Sequence, residues 1–276
     1  MQIREDLLYT LPVPQVGISF QMAEDNIQKQ EELLADENYR EMIEAGVFYG
    51  RKKSKTHPRM KVNVLGNRNG IEIINLLKTR ESLDNALAFL KSKLMDGKTV
   101  LFVATQPPAA DVKELAAEFG YPAVISRWLG GTLTNNKVIM GRIEYYRKLK
   151  SDFEKGALDK YTKKERLGIE REIERMSEIF SGLDTFQGLP DIILTIDSKL
   201  HQIAVRESKH VKVPVIAFVN TDADPDEVEY PVYGNNKAKT SINWFLGKVR
   251  EVLAETKAAR AQAAAEKKAA AEQAAK

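Results

Sequence analysis

The chain has 276 residues, 43% of them hydrophobic, which is enough for a core, and no stretch approaches the roughly eighteen uncharged apolar residues of a membrane-spanning helix. It has no cysteine, which excludes disulfides, thiol catalysis and thiolate metal sites, and its three histidines leave few other metal ligands. Forty-two basic residues face 39 acidic ones for a formal charge of +3, so a nucleic-acid surface can come only from an uneven distribution of charge.

Residues 1–40 read as a peripheral arm. Pro12 and Pro14 break its start, its mixed charges leave no apolar leader segment, and the acidic helical stretch MAEDNIQKQEELLADENYREMIEAG ends at Gly46. Without a leader or a spanning helix, the expected location is the cytoplasm. Next comes GRKKSKTHPRMK, residues 50–61, which holds Arg51, Lys52, Lys53, Lys55, Arg59 and Lys61, with His57 among them and no acid. KVNVLG and GIEIINLL then predict a β-hairpin joined across GNRNG, a connection longer than the two-residue kind. Leu83, Leu87, Leu90 and Leu94 recur at helical spacing and predict a helix from Ser82 to Met95.

From here strands and helices alternate. KTVLFVAT (98–105) is a buried-strand run, PPAADVKELAAEFG a helix closed by Gly120, and PAVIS a second strand. The alternation resumes with strand DIILTID (191–197), helix KLHQIAVRESKH, strand VPVIAFVNT, a short VEYPVY, and a last helix from about Lys237 to Glu255. Near-continuous apolar strands separated by helices predict a doubly wound, parallel α/β sheet covered on both faces. Residues 132–186 interrupt it with two charge-laced helices around Gly156. Their narrow apolar stripe of Val138, Ile143, Leu149, Leu167, Ile169, Ile173, Met176 and Ile179 predicts a projecting antiparallel helical hairpin. The expected organisation is therefore an arm (1–40), a sheet domain (41–131 and 187–253), a coiled-coil insertion (132–186) and an alanine-rich, solvated tail (254–276).

Six cations in twelve residues suit phosphate contacts, because neutralising an RNA backbone and releasing its counterions needs several positive charges in one place. Arg68 and Asn69 in the hairpin turn can bond a phosphate or a base edge. In SRWLGGTLTN (126–135), Gly130 and Gly131 would let the backbone approach an anion just before a helix N-terminus. The spacing fits neither GxxxxGK[ST] nor GxGxxG, which removes the best argument for a nucleotide cofactor, and none is expected. Trp128 in that stretch can stack on a base or pack in a core. Asp197 and Asp222 are candidate Mg²⁺ ligands, but the DxDxD of Asp222, Asp224 and Asp226 has Glu227 and Tyr233 where a calcium loop needs glycine and glutamate, which favours Asx turns. His57, His201 and His210 join no catalytic constellation.

RNGIEIINLLKT (68–79), SRWLGGTLTN (126–135), GLPDIILTIDSKLHQIAVRESKHVKVPVIAFVNT (188–221) and DPDEVEYPVYGNNKA (224–238) follow one another as they do in the bacterial-type small-subunit ribosomal protein S-two family, which the chain resembles from about Met42 to Leu253. The resemblance implies a Rossmann-like sheet with a projecting coiled coil. It also implies a non-catalytic, cytoplasmic ribosomal component bound to rRNA between head and body, beside the mRNA-binding protein S-one. Carried over, it makes Arg68, Asn69, Arg127, Trp128, Thr132, Thr134 and Asn135 RNA-proximal, for phosphate pairing, stacking and hydrogen bonding. The basic run with His57, and Lys137 after the glycine turn, join them. The family's His-Phe-Gly-His departs here to VFYGR, where Val47 and Arg51 replace the two histidines and Arg51 would preserve or strengthen a phosphate contact. Two rival readings remain. One is an enzyme or binding protein for phosphate-bearing ligands, using Asp197, Asp222 and the Gly130 turn at the sheet's carboxyl end; the other is an adaptor that binds a protein through its helical hairpin.

Overall fold

The computed structural model describes residues 37–156 and 162–274, so the arm lies almost wholly outside the described residues. Helix α1 (Glu37–Glu44) turns Tyr39 and Met42 into the core and stops at Gly46, whose φ of +67° is open to glycine. A three-stranded antiparallel sheet follows, β1 (Tyr49–Lys52), β2 (Val64–Arg68) and β3 (Ile71–Ile74), in the order β1-β3-β2. Its hairpin is tighter than the sequence predicts. Arg68 pairs directly with Ile71, which leaves only Asn69 and Gly70 in the turn, at φ +51° and +80°. An Asn-Gly pair accepts positive φ at both turn positions, so the ladder runs up to it. β1 is unforeseen: it overlaps the start of the basic run and pairs with the edge of β3.

Helix α2 (Leu76–Met95) starts six residues before the periodic leucines predict, because the Asn75 side chain accepts the Leu77 N–H at 3.0 Å and caps an extra turn and a half. Beyond it, the parallel strands β4 (Val100–Val103), β5 (Ala123–Val124), β6 (Ile192–Ile196), β7 (Val215–Val219) and β8 (Tyr230–Tyr233) form one sheet in the order β5-β4-β6-β7-β8. β5 is a two-residue remnant of PAVIS, closed off where the Ala123 N–H bonds the Gly182 carbonyl at 2.6 Å. The covering helices are α3 (Asp111–Phe119), α4 (Asn136–Glu154), α5 (Lys163–Phe180), α6 (Gln202–Val211) and α7 (Lys239–Ala274).

Both faces of the central parallel strands are buried, which is why they read as near-continuous apolar runs. On one face Phe102, Leu194 and Phe218 pack with Leu90 of α2 and Phe245 and Val249 of α7. On the other, Leu101, Ile193 and Val215 meet Trp128, Leu133, Tyr146 and Phe180. The doubly wound α/β reading holds. α4 and α5 pair as the predicted hairpin, and the Arg147 guanidinium fastens α4 to the segment between α5 and β6 by donating to the carbonyls of Leu183, Asp184 and Phe186 at 2.9, 2.7 and 2.8 Å. α7 does not end near Glu255. Thr256 is buried with its hydroxyl on the Val252 carbonyl at 2.8 Å, Lys257 sits 5.4 Å over the Phe119 ring, and the alanine-rich segment sustains the helix beyond.

Candidate nucleic-acid interface

The basic run folds against the aspartate loop that follows β7, and this contact sorts its cations. Arg51 Nε lies 3.4 Å from Asp222 Oδ2, and Lys199 Nζ reaches the same oxygen at 3.6 Å. Arg59 Nη1 binds Asp224 Oδ2 at 2.7 Å and lies 3.3 Å from Asp226, while His57 Nε2 stands 4.0 Å from Asp224. Burial works to raise the Asp224 carboxyl, but the Asp226 backbone N–H and the Arg59 guanidinium outweigh it and hold it below its ordinary value. The run therefore lacks acids only in sequence. Lys52, Lys53, Lys55 and Lys61 remain exposed, with no ion pair to another described residue. Arg68 and Asn69 are exposed beside them at the tip of the hairpin.

The same contacts engage the two aspartates read as Mg²⁺ candidates. Asp222 holds Arg51 and Lys199, and Asp197 Oδ2 holds Lys237 Nζ at 2.7 Å while its Oδ1 accepts the Leu200 N–H at 3.1 Å. One oxygen of Asp222 and both oxygens of Asp197 are thus engaged by the protein's own groups, and among the described residues no group of three or more His, Asp or Glu side chains is placed to hold a metal ion. Asp224 instead accepts the Asp226 N–H at 3.1 Å, the Asx turn that the spacing favours.

SRWLGGTLTN does bind an anion, and the anion is internal. Glu207 of α6, only 8% exposed, points its carboxylate into the loop. Oε1 accepts from Trp128 Nε1 at 3.1 Å and from the Gly131 N–H at 2.8 Å; Oε2 accepts from the N–H groups of Leu133 and Thr134 at 3.0 and 3.3 Å. Burial works to raise its pKa, but the Gly131 and Leu133 amides, the indole and the Thr134 amide prevail and lower it. Gly131 adopts φ +90°, which points its N–H inward. Two of the candidates thus turn away from solvent. Trp128 is 9% exposed with its ring in the core, and Thr132 is 2% exposed with its hydroxyl on the Leu129 carbonyl at 2.7 Å. Arg127, Thr134, Asn135 and Lys137 stay at the surface. Glu207 itself escapes a sequence search for sites. The one signal for it is that Ala204, Val205, Glu207 and Ser208 share the buried face of α6, where an acid requires partners.

In chain order the parallel strands run 2-1-3-4-5, and ligands of such sheets bind where the order reverses, here between the carboxyl ends of β4 and β6. That crevice is filled by the protein's own groups. His201 is 3% exposed; its Nε2 meets the Thr105 N–H and Oγ1 at 3.3 and 3.1 Å, and its Nδ1 meets Thr195 Oγ1 at 3.1 Å. Burial lowers its pKa and favours the neutral ring. Lys237 bridges Asp197 to Gln106 Oε1 at 3.1 Å across the same gap. The basic run and SRWLGGTLTN flank this plug. One packs on the loop after β7 and the other leaves β5, so both start from the same rim, three strand spacings or about 14 Å apart.

Residues 42–256, a stretch that holds both segments, match the family described as Ribosomal protein S2. The chain belongs to that family. Its S2 relatives include the small ribosomal subunit protein uS2 of Coprothermobacter proteolyticus, 37% identical over 217 residues that cover 78% of this chain and 81% of the relative. The uS2c protein of Cyanophora paradoxa is 38% identical over 78% of this chain and 93% of its own length, and the uS2 of Thermus thermophilus is 38% identical over 78% and 84%. The S2 match begins within α1 and ends in α7, so it spans the whole sheet domain and the hairpin.

Proposed function

We propose that this S2 protein is a non-catalytic structural constituent of the small ribosomal subunit that binds rRNA through the four lysines Lys52, Lys53, Lys55 and Lys61 and the hairpin tip Arg68–Asn69. The observation that carries the reading is the sorting of the basic run: its two arginines are spent on Asp222, Asp224 and Asp226, while its four lysines face outward without ion pairs to described residues. Arg127, Thr134, Asn135 and Lys137 form a second contact on the same rim. On this reading the rim faces rRNA between head and body of a cytoplasmic ribosome, with neighbouring small-subunit proteins, S-one among them, as protein partners, and membership of the S2 family supports it. Trp128, Thr132 and Glu207 serve by shaping the second loop. An enzyme acting on phosphate-bearing substrates fits less well, because Glu207 occupies the glycine turn and His201 and Lys237 occupy the switch-point crevice.

The test is the salt dependence of binding to a small-subunit rRNA transcript. Each phosphate contact contributes roughly 0.7 to 0.9 to the slope of log affinity against log salt, so replacing Lys52, Lys53 and Lys55 with alanine is expected to shallow the slope by about two. Arg59→Ala is expected to leave the slope nearly unchanged. An unaltered slope in the triple variant refutes the assignment.

A further inference from the structure

Tyr49 opens β1 with 48% of its surface exposed and belongs to neither apolar core cluster. Its ring leans on that of Phe48, with centroids 4.1 Å apart and planes 33° off parallel, so one side is supported from within the protein. The β-ladder sets what surrounds it. Tyr49 lies opposite Ile73 and Lys52 opposite Ile71, three steps along β1 against two along β3. In a regular strand residues three apart point to opposite faces; the bulge adds the residue that returns Lys52 to the face of Tyr49. On the far side of β3, Arg68 is also opposite Ile71. One face of the small sheet therefore carries an exposed aromatic ring and, one two-residue step or roughly 7 Å along, a row of Lys52, Ile71 and Arg68. Lys53 and Lys55, which make no ion pair to another described residue, follow directly in a 3-10 turn.

An exposed ring backed by a second ring, set one row from cations, is a stacking platform for nucleic acid. Bases pulled out of a helix present a π-face that any aromatic side chain accepts, while the flanking phosphates seek charge. A protein partner suits the patch less well, because the single ring stands among lysines whose desolvation such an interface would have to offset. We infer that Tyr49 stacks on an unpaired rRNA base whose flanking phosphates are held by Lys52 and Lys53. This rests on the reading that the face meets rRNA, and it adds a base contact where the lysines supply only charge.

The full chain is titrated against a small-subunit rRNA transcript as wild type, Y49F, Y49L and the Lys52/Lys53/Lys55→Ala triple. Stacking is expected to cost Y49L about 5- to 100-fold in affinity, with the salt slope unchanged because no counterion is involved, and Y49F is expected to stay within about twofold. Melting temperatures accompany each titration. Wild-type affinity in Y49L, with a shallower slope in the triple variant, overturns stacking and leaves the rRNA reading intact. Wild-type behaviour in both Y49L and the triple overturns the two together. An equal loss in Y49F and Y49L assigns the effect to the phenol hydroxyl, and a loss in Y49L that tracks a lowered melting temperature assigns it to the fold; either overturns stacking.

Discussion

Glu207→Gln isolates the internal anion of the second loop with almost no change of volume. The carboxylate accepts at both oxygens, two N–H donors on Oε1 and two more on Oε2. Glutamine can accept at only one end; whichever way its amide is turned, an NH₂ group faces two donors and leaves them unpaired in a buried site. A buried donor without an acceptor costs about 1–3 kcal/mol, and the lost charge weakens the surviving bonds, so a destabilisation of about 3–5 kcal/mol is expected at pH 7. Urea unfolding of both proteins at matched pH measures it through the midpoint at constant slope. The pH dependence supplies a second check. Because the folded-state pKa lies below the unfolded one, the stabilisation is complete above the ordinary glutamate value of about 4.3 and is lost as pH falls through the lower folded value. The gap between wild type and Glu207→Gln is therefore expected to narrow below about pH 4. A variant within about 0.5 kcal/mol of wild type at pH 7, or a gap indifferent to acid, refutes the claim that the carboxylate organises this loop.

Two further outcomes follow from the same reasoning. Arg147→Ala removes the guanidinium that ties the helical hairpin to three carbonyls, and about 2–4 kcal/mol should be lost; amide exchange is expected to rise at Leu183–Phe186 and the base of α4 while β6 and β7 stay protected, and uniform exchange across the sheet would refute the local tie. His201 is held neutral in the plugged crevice, so its folded pKa is depressed. Its stabilisation is present above the unfolded histidine value of about 6.5 and is lost as pH falls toward the folded value. His201→Asn should flatten thermal stability across that window, and an unchanged profile would show that the ring does not contribute.

Much of this fold is legible in the sequence because each strand and helix writes its burial into its own period. Ile192–Ile196 and Val215–Val219 are buried at every position and read as apolar runs; Leu83, Leu90 and Leu94 mark one face of α2 by spacing alone. Boundaries set by single hydrogen bonds are less legible. The Asn75 cap starts α2 early, and the two-residue Asn69–Gly70 turn is clear only once Arg68 is seen opposite Ile71.

By itself the sequence determined the parallel sheet covered on both faces, the inserted hairpin and the cluster of cations at residues 51–61, since periodicity and local charge density are properties of contiguous residues. Only the tertiary structure decided which of those cations are available. Asp222 and Asp224 lie more than 160 residues from the arginines they neutralise, and Glu207 lies more than 70 from the glycine turn it fills. A charge binds whatever partner folding brings within a few ångströms, whatever the separation along the chain. Hence the basic run and the glycine loop look alike in sequence as anion sites, yet the structure leaves the lysines of the first exposed and satisfies the second from within.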